Sequence, residues 1–165
     1  MIFALPQALS QVTKHKQFRH GLLESYLEKE GGKSLALRER IAVCVSSSPA
    51  AQYLVARAAR MANRVDAELF VIYIDIGVDE DPADQRSLAQ NLQFAENLGA
   101  KVVRTKGTNV AEAVAKIVRE KHITQVVFGR SAQRGWKRYF YLSAIHKFLR
   151  DAPPVDVHIV TQEMK

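Results

Sequence analysis

The sequence predicts an α/β domain: an open five-stranded parallel sheet with helices on both faces, a Rossmann-like three-layer sandwich. Three observations carry this prediction. From residue 40 onward, short continuous apolar runs alternate with longer stretches of helical periodicity. The runs are rich in Val and Ile and mostly lack polar alternation, as strands buried on both faces do. The order is strand–helix repeated four times and closed by a fifth strand, and parallel strands need such helical crossovers.

The first run, Arg40-Ile41-Ala42-Val43-Cys44-Val45, reads as a buried strand. Ser46-Ser47-Ser48-Pro49 turns the chain into a helix, with Ser48 as N-cap and Pro49 as first helical residue. This helix is expected to reach Val65, with Leu54, Ala58, Met61 and Val65 along its inner face. Leu69 to Ile74 is the second strand, and an acidic loop with Asp75, Asp79, Glu80 and Asp81 follows it. Pro82 opens a helix that ends near Leu98-Gly99, where Gly99 suits a left-handed C′ position. Lys101 to Thr105 is a third, more polar strand. Asn109 caps a helix through Lys121 with Val110, Val114, Ile117 and Val118 inward. Thr124 to Gly129 is the fourth strand, a basic and aromatic helix covers about residues 135 to 150, Pro153-Pro154 stops it, and Val155 to Val160 is the fifth strand.

Residues 1–39 are set apart as an N-terminal arm, and residues 40–165 form the sheet domain. Gln17 to Glu30 has the pattern of an amphipathic helix, with Leu22, Leu23, Tyr26 and Leu27 apolar. Gly31-Gly32-Lys33-Ser34 resembles the end of a phosphate-binding P-loop. It has Tyr26 where that motif has its leading glycine, and it follows no strand.

Composition excludes several classes. No apolar run is long enough to span a bilayer, and the apolar start lacks the basic region and cleavage site of a signal peptide. Cys44 is the one cysteine, so no internal disulfide is expected, and the five histidines show no zinc-binding spacing. A cytoplasmic location is the expectation. A net charge of +7 favours anionic partners.

Much of that charge lies in one stretch. From Arg130 to Arg150 there are Arg130, Arg134, Lys137, Arg138, Lys147 and Arg150, with no acid before Asp151. It opens on Gly129-Arg130-Ser131, at the carboxyl end of a strand and before a helix start. There a glycine permits close approach of a ligand, a hydroxyl and free helix amides can bond phosphate oxygens, and arginines can fork onto them. A solvated basic helix face gives the same pattern. The Ser46-Ser47-Ser48 turn is a second candidate: helix capping uses Ser48 and leaves Ser46 and Ser47 for a ligand. In open parallel sheets ligands collect at the carboxyl ends of strands where the order reverses, so the two loops share a cleft if their strands are neighbours. The acidic loop could hold magnesium, but it has no fixed ligand spacing. Cys44 lies inside a strand with no base beside it in sequence, and His158 reads as a packed or edge residue.

Taken together, Ala36 to Val45, the Ser-x-Ser-Pro turn, Gly129-Arg130-Ser131 with Trp136 and basic residues after it, and Val155 to Val160 resemble the universal stress protein family. Within it they resemble the universal-stress-type domain of the potassium-sensor kinase KdpD. The resemblance covers about residues 36 to 162. Against the family's ATP-binding pattern, Gly129 matches the first glycine and Ser143 the closing hydroxyl, whereas Ala132 and Leu142 replace the other two glycines and Ser46 replaces an aspartate. Domains of the KdpD type that bind cyclic di-AMP carry a Ser-x-Ser turn and, after twenty residues, a Phe-Thr-Ala-x-Tyr-like strand, where this chain has Leu69-Phe70-Val71-Ile72-Tyr73 and departs at the Phe-Thr-Ala part. Ser46, Ser48 and Tyr73 match that spacing.

The resemblance therefore implies a non-catalytic regulatory module. Its ligand would be a nucleotide-like anion, ATP or AMP or cyclic di-AMP, held by Ser46, Ser47, Ser48, Tyr73, Gly129, Arg130, Ser131, Arg134 and Ser143. It would act through a protein partner and form a homodimer through the last strand. The alternatives are a weak ATPase with Asp75 as metal ligand, and a basic surface for nucleic acid, membrane or protein. Nucleic acid is the less favoured partner, because the aromatics interleaved with the charges, Trp136, Tyr139, Phe140 and Tyr141, also fit core packing.

Overall fold

Five apolar runs become five parallel strands, joined by four helices. The computed structural model describes residues 18, 19, 21–23, 25, 38–130 and 136–161, with side chains in the last stretch from residue 142 onward. The elements are β1 (Arg40–Cys44), α1 (Ala51–Arg64), β2 (Glu68–Asp75), α2 (Pro82–Asn97), β3 (Lys101–Lys106), α3 (Val110–Glu120), β4 (Gln125–Arg130), α4 (Trp136–Asp151) and β5 (Asp156–Thr161). Strand order is β3-β2-β1-β4-β5, and every pairing is parallel.

That order follows from handedness. Right-handed crossovers moving outward from β1 to β2 to β3 place α1 and α2 on one face. The chain then returns past β1 and runs outward in the opposite direction, which places α3 and α4 on the other. The core divides accordingly. Ile41, Val43, Leu69, Val71 and Val127 meet Leu54, Val55, Ala58, Leu88 and Leu92 on one face. Ala42, Phe70, Ile72, Val126 and Phe128 meet Val114, Ile117, Val118, Ile145 and Phe148 on the other. Alternate residues of one strand serve opposite cores, so a strand buried on both faces must be apolar at every position.

The helix ends are built locally. Asp81 accepts the Asp84 amide at 2.8 Å, with Pro82 as first residue, and Asn109 accepts the Glu112 amide at 3.2 Å. Gly99 ends α2 at φ +80°, a conformation that a side chain disfavours. The first helix departs from expectation at both ends. α1 begins at Ala51, because Pro49 and Ala50 form a turn in which Ser48 Oγ accepts the Ala50 amide at 3.3 Å and the Ser48 carbonyl accepts the Ala51 amide at 3.0 Å. Val65 is 51% exposed rather than inward. It sits in the C-cap, past the last helical turn, where the 3.6-residue stripe no longer governs direction. The inner face is the alanine-rich set Ala51, Leu54, Val55, Ala58, Ala59 and Ala62, which allows close approach to the sheet.

The sheet unit runs from Arg38 to Lys165, and Met1–Leu37 form a separate unit. Arg38 belongs with the sheet: its guanidinium bonds the Asp66 carboxylate at 2.8 Å and the Asp66 carbonyl at 2.7 Å. In the first unit the described residues, Phe18, Arg19, Gly21–Leu23 and Ser25, are helical. Among the described residues no helix is long and apolar enough to cross a membrane.

Candidate functional site

The strand order reverses between β1 and β4, and these two strands are neighbours. β1 continues into α1 on one face, while β4 continues into α4 on the other. Such a reversal is where open parallel sheets place a ligand crevice, and here the Ser46–Ser48 turn and Arg130 stand at the carboxyl ends of its two strands. The pairing is short, joining Ile41–Val43 to Gln125–Val127. Beyond it Phe128, Gly129 and Arg130 pair with Ile159, Val160 and Thr161 of β5. Among the described residues, the edge of β4 that faces β1 thus has no strand partner beyond Val127. Gly129 is buried within β4, and Arg130 is exposed at its end.

The serine turn is folded on itself. Ser46 Oγ accepts the Ser48 amide at 3.2 Å and Ser48 Oγ accepts the Ala50 amide at 3.3 Å. Ser46, expected to be left over for a ligand, is thereby used in shaping the turn, though its hydroxyl proton remains to donate. Ser47 is half-buried and makes no side-chain hydrogen bond among the described residues.

Sequence reasoning missed the residue that holds this turn. Asn91 of α2 is 1% exposed, and among the described residues it is the one fully buried polar side chain. Its amide nitrogen donates to the Ser46 carbonyl at 3.0 Å and to the Ser48 carbonyl at 2.9 Å. Two carbonyl acceptors fix which end of the amide faces them. The signal was available: Leu88, Asn91, Leu92 and Ala95 occupy one helical stripe, with a polar residue inside it.

Tyr73 lies on β2, whose residue Ile72 is level with Cys44 of β1, and it packs against the core face shared with α1 and α2. Its phenol is raised above the usual tyrosine range, first by burial and then by the carboxylates of Glu80 and Asp75. The crevice is therefore flanked by unlike charge: Arg130 on the β4 side, Asp75 and Glu80 on the β2 side. The acidic loop also has local duties. Asp75 accepts the Gly77 amide at 2.9 Å, and among the described residues no group of His, Cys, Asp or Glu is arranged to hold a metal.

Ser143 is exposed on α4, two turns and about 10 Å along the helix axis from its start at Trp136. Ser131 and Arg134 lie outside the described residues, as do the side chains of Trp136 to Tyr141. Arg150 pairs with Asp151 at 2.9 Å and 3.0 Å, which neutralises one charge of the basic stretch. His158 bonds Gln125 at 3.0 Å on the strand surface.

Cys44 packs against the α3–α4 core, and burial pushes its thiol up from 9.0 to about 12. A thiol with its folded pKa raised is held neutral. Its contribution to stability is complete below 9.0 and is lost as pH rises toward about 12. Two outcomes follow. Iodoacetamide should leave the native chain unmodified at pH 8 and label it fully in denaturant. The alkaline loss of stability should be smaller in Cys44→Val, as thermal melts across that window will read.

With this geometry in place, comparison with known proteins is decisive. The profile of the universal stress protein family matches residues 38–161, the whole of the sheet. The chain belongs to the universal stress protein family. Within curated relatives it is similar to the sensor protein KdpD of Mycobacterium tuberculosis (strain CDC 1551 / Oshkosh), 32% identical over 124 residues that cover 75% of this chain and 14% of that protein. It is similar also to the putative sensor protein KdpD of Synechocystis sp., 30% identical over 132 residues, 76% of this chain and 34% of that protein. The chain thus spans a minor part of these relatives' length. Among solved structures, a universal stress protein in complex with cAMP superposes with TM-score 0.55 at 18% identity, covering 78% of this chain and all of that one. The universal stress protein of Archaeoglobus fulgidus in complex with dAMP gives 0.52 at 17% identity, covering 74% and 97%. These universal stress protein structures share the parallel five-stranded fold.

Proposed function

We propose that this universal-stress-type domain is a non-catalytic regulatory module that binds an adenine nucleotide or dinucleotide, ATP-like or cyclic di-AMP, in the crevice between β1 and β4. The observation that carries the reading is the β1–β4 pairing, which makes neighbours of the strands that lead to the Ser46–Ser48 turn and to Arg130, at a topological switch point. Complexes of two family members with cAMP and dAMP support the ligand class. The charge asymmetry gives the ligand a direction. Phosphates lie toward Gly129, Arg130 and the segment carrying Ser131 and Arg134. The sugar and base lie toward the serine turn and Tyr73, where Asp75 and Glu80 repel anions and can accept from hydroxyl or amino groups.

The likeness to KdpD sensor proteins supports a signalling role in the cytoplasm, in a potassium or stress response, exercised through a protein partner. Calorimetric titration of the full chain with ATP, AMP, cAMP and cyclic di-AMP tests the ligand. Saturable heat with at least one is expected, and the absence of both heat and thermal shift with all four sinks the reading. Phosphate release from ATP should stay at background.

We also propose a homodimer through β5. Among the described residues this strand has one partner, β4, which leaves its other edge unpaired, with Ile159 53% exposed beside it. A groove of about 740 Å³ runs between β5 and Tyr53, Arg57 and Met61 of α1. Sedimentation should find a dimer that Ile159→Lys converts to monomer without loss of secondary structure. Wild-type monomer at high concentration would overturn it.

A further inference from the structure

α2 meets the sheet through Leu88, Leu92 and Ala95, with one polar exception. Asn91 spends both amide hydrogens on the carbonyls that flank Ser47, so it spans the turn between Ser46 and Ser48. Its Oδ1 is buried and has no hydrogen-bond partner among the described residues. Burying an amide with an idle oxygen costs stability, and an apolar side chain at this point in the stripe would avoid that cost. The serine turn is the only polar structure that Asn91 is seen to touch among the described residues.

We propose that Asn91 is a positioning residue that locks the Ser46–Ser48 turn to α2, so that occupation of the crevice and the position of α2 are coupled. This rests on the reading of the crevice as a nucleotide site. With both carbonyls held, Ser46 Oγ keeps its bond to the Ser48 amide and Ser48 Oγ its bond to the Ala50 amide, and the hydroxyls face a ligand in one fixed arrangement. A ligand that shifts the turn by a fraction of an ångström pulls on α2 at its midpoint. α2 in turn carries the acidic loop at its start and exposes Gln85, Arg86, Gln93 and Glu96, a surface on which a partner can read the shift.

Amide hydrogen exchange on the full chain tests this, with wild type, Asn91→Leu and Asn91→Asp. Without ligand, the Ser48 and Ala50 amides should exchange on the order of tenfold faster in Asn91→Leu, while those of β1 and β2 keep their wild-type rates. In Asn91→Asp, the carboxylate faces two carbonyl oxygens and cannot donate. Its acid is raised by that repulsion and by burial, and when protonated it restores one donor. Protection of the turn should therefore recover in the Asp variant alone as pH falls from about 8 to about 5. Should the Leu variant fail to fold, this recovery decides the matter. With saturating AMP or cyclic di-AMP, α2 should gain protection in wild type and not in Asn91→Leu. Wild-type exchange at Ser48 and Ala50 in Asn91→Leu, or no recovery in the Asp variant, would overturn the positioning role. If wild type binds no nucleotide, the crevice reading and the coupling to α2 fall, and the ligand-free arms still decide whether Asn91 holds the turn.

Discussion

Arg130→Ala is expected to weaken binding of adenine nucleotides by about tenfold to hundredfold, the worth of one or two hydrogen bonds to a charged group. Arg130 is exposed at the end of β4 and no ion pair holds it among the described residues, so the melting temperature should hardly move. Arg130→Lys should recover part of the loss, because an ammonium keeps the charge and gives up the planar fork. Arg130→Glu should abolish binding, since it sets a carboxylate against the phosphate. Affinity should also fall steeply with salt in wild type and more gently in the Ala variant. Equal affinities in wild type and Arg130→Glu would place the anion elsewhere and end the proposed orientation.

Phe148→Ala is expected to cost about 3–5 kcal/mol of stability, lowering the melting temperature by roughly 10–20 °C. Phe148 is 1% exposed and meets Phe128 edge-to-face, with centroids 5.3 Å apart and rings at 70°. Truncation opens a ring-sized cavity between α4 and β4 and removes the aromatic pair as well. Leu149, the next residue, is 52% exposed, and Leu149→Ala should stay within about 0.5 kcal/mol of wild type. Comparable losses from both would mean that α4 is not seated through Phe148. The pair also bears on function, because Phe128 lies two residues before Arg130 and Phe148 anchors α4, the next element after β4. Phe148→Ala should therefore weaken nucleotide binding even below its melting temperature.

The inner strands were legible because each had to be apolar on both faces, which a short uninterrupted run such as Val126-Val127-Phe128 announces. The caps at Asp81, Asn109 and Gly99 were legible for a similar reason: a helix end needs a particular side chain or a positive φ at a defined place. The spatial order of the strands was not written in the runs themselves, and emerges from crossover handedness acting on the whole chain. Val65 misled because apolarity alone does not say where a helix stops. Ser46 has a second duty that its sequence does not announce, because a hydroxyl near a turn serves the backbone as readily as it serves a ligand. Asn91 escaped notice because its partners, Ser46 and Ser48, lie more than forty residues away in the chain. A buried polar contact of that separation leaves only one trace in sequence, a polar letter in an apolar stripe.

The register of β4 has one more consequence. At its carboxyl end Arg130 is tied to Thr161 of β5, and the β1–β4 ladder ends at Val43 and Val127. Arg130 therefore travels with the outermost strand rather than with the middle of the sheet. Suppose a strand from a second molecule docks on β5 and alters anion affinity at Arg130 by some factor. Thermodynamic reciprocity then requires the anion to alter docking by that same factor. Protein concentration and nucleotide concentration become exchangeable inputs, and a dilution series would shift the binding isotherm as surely as a mutation.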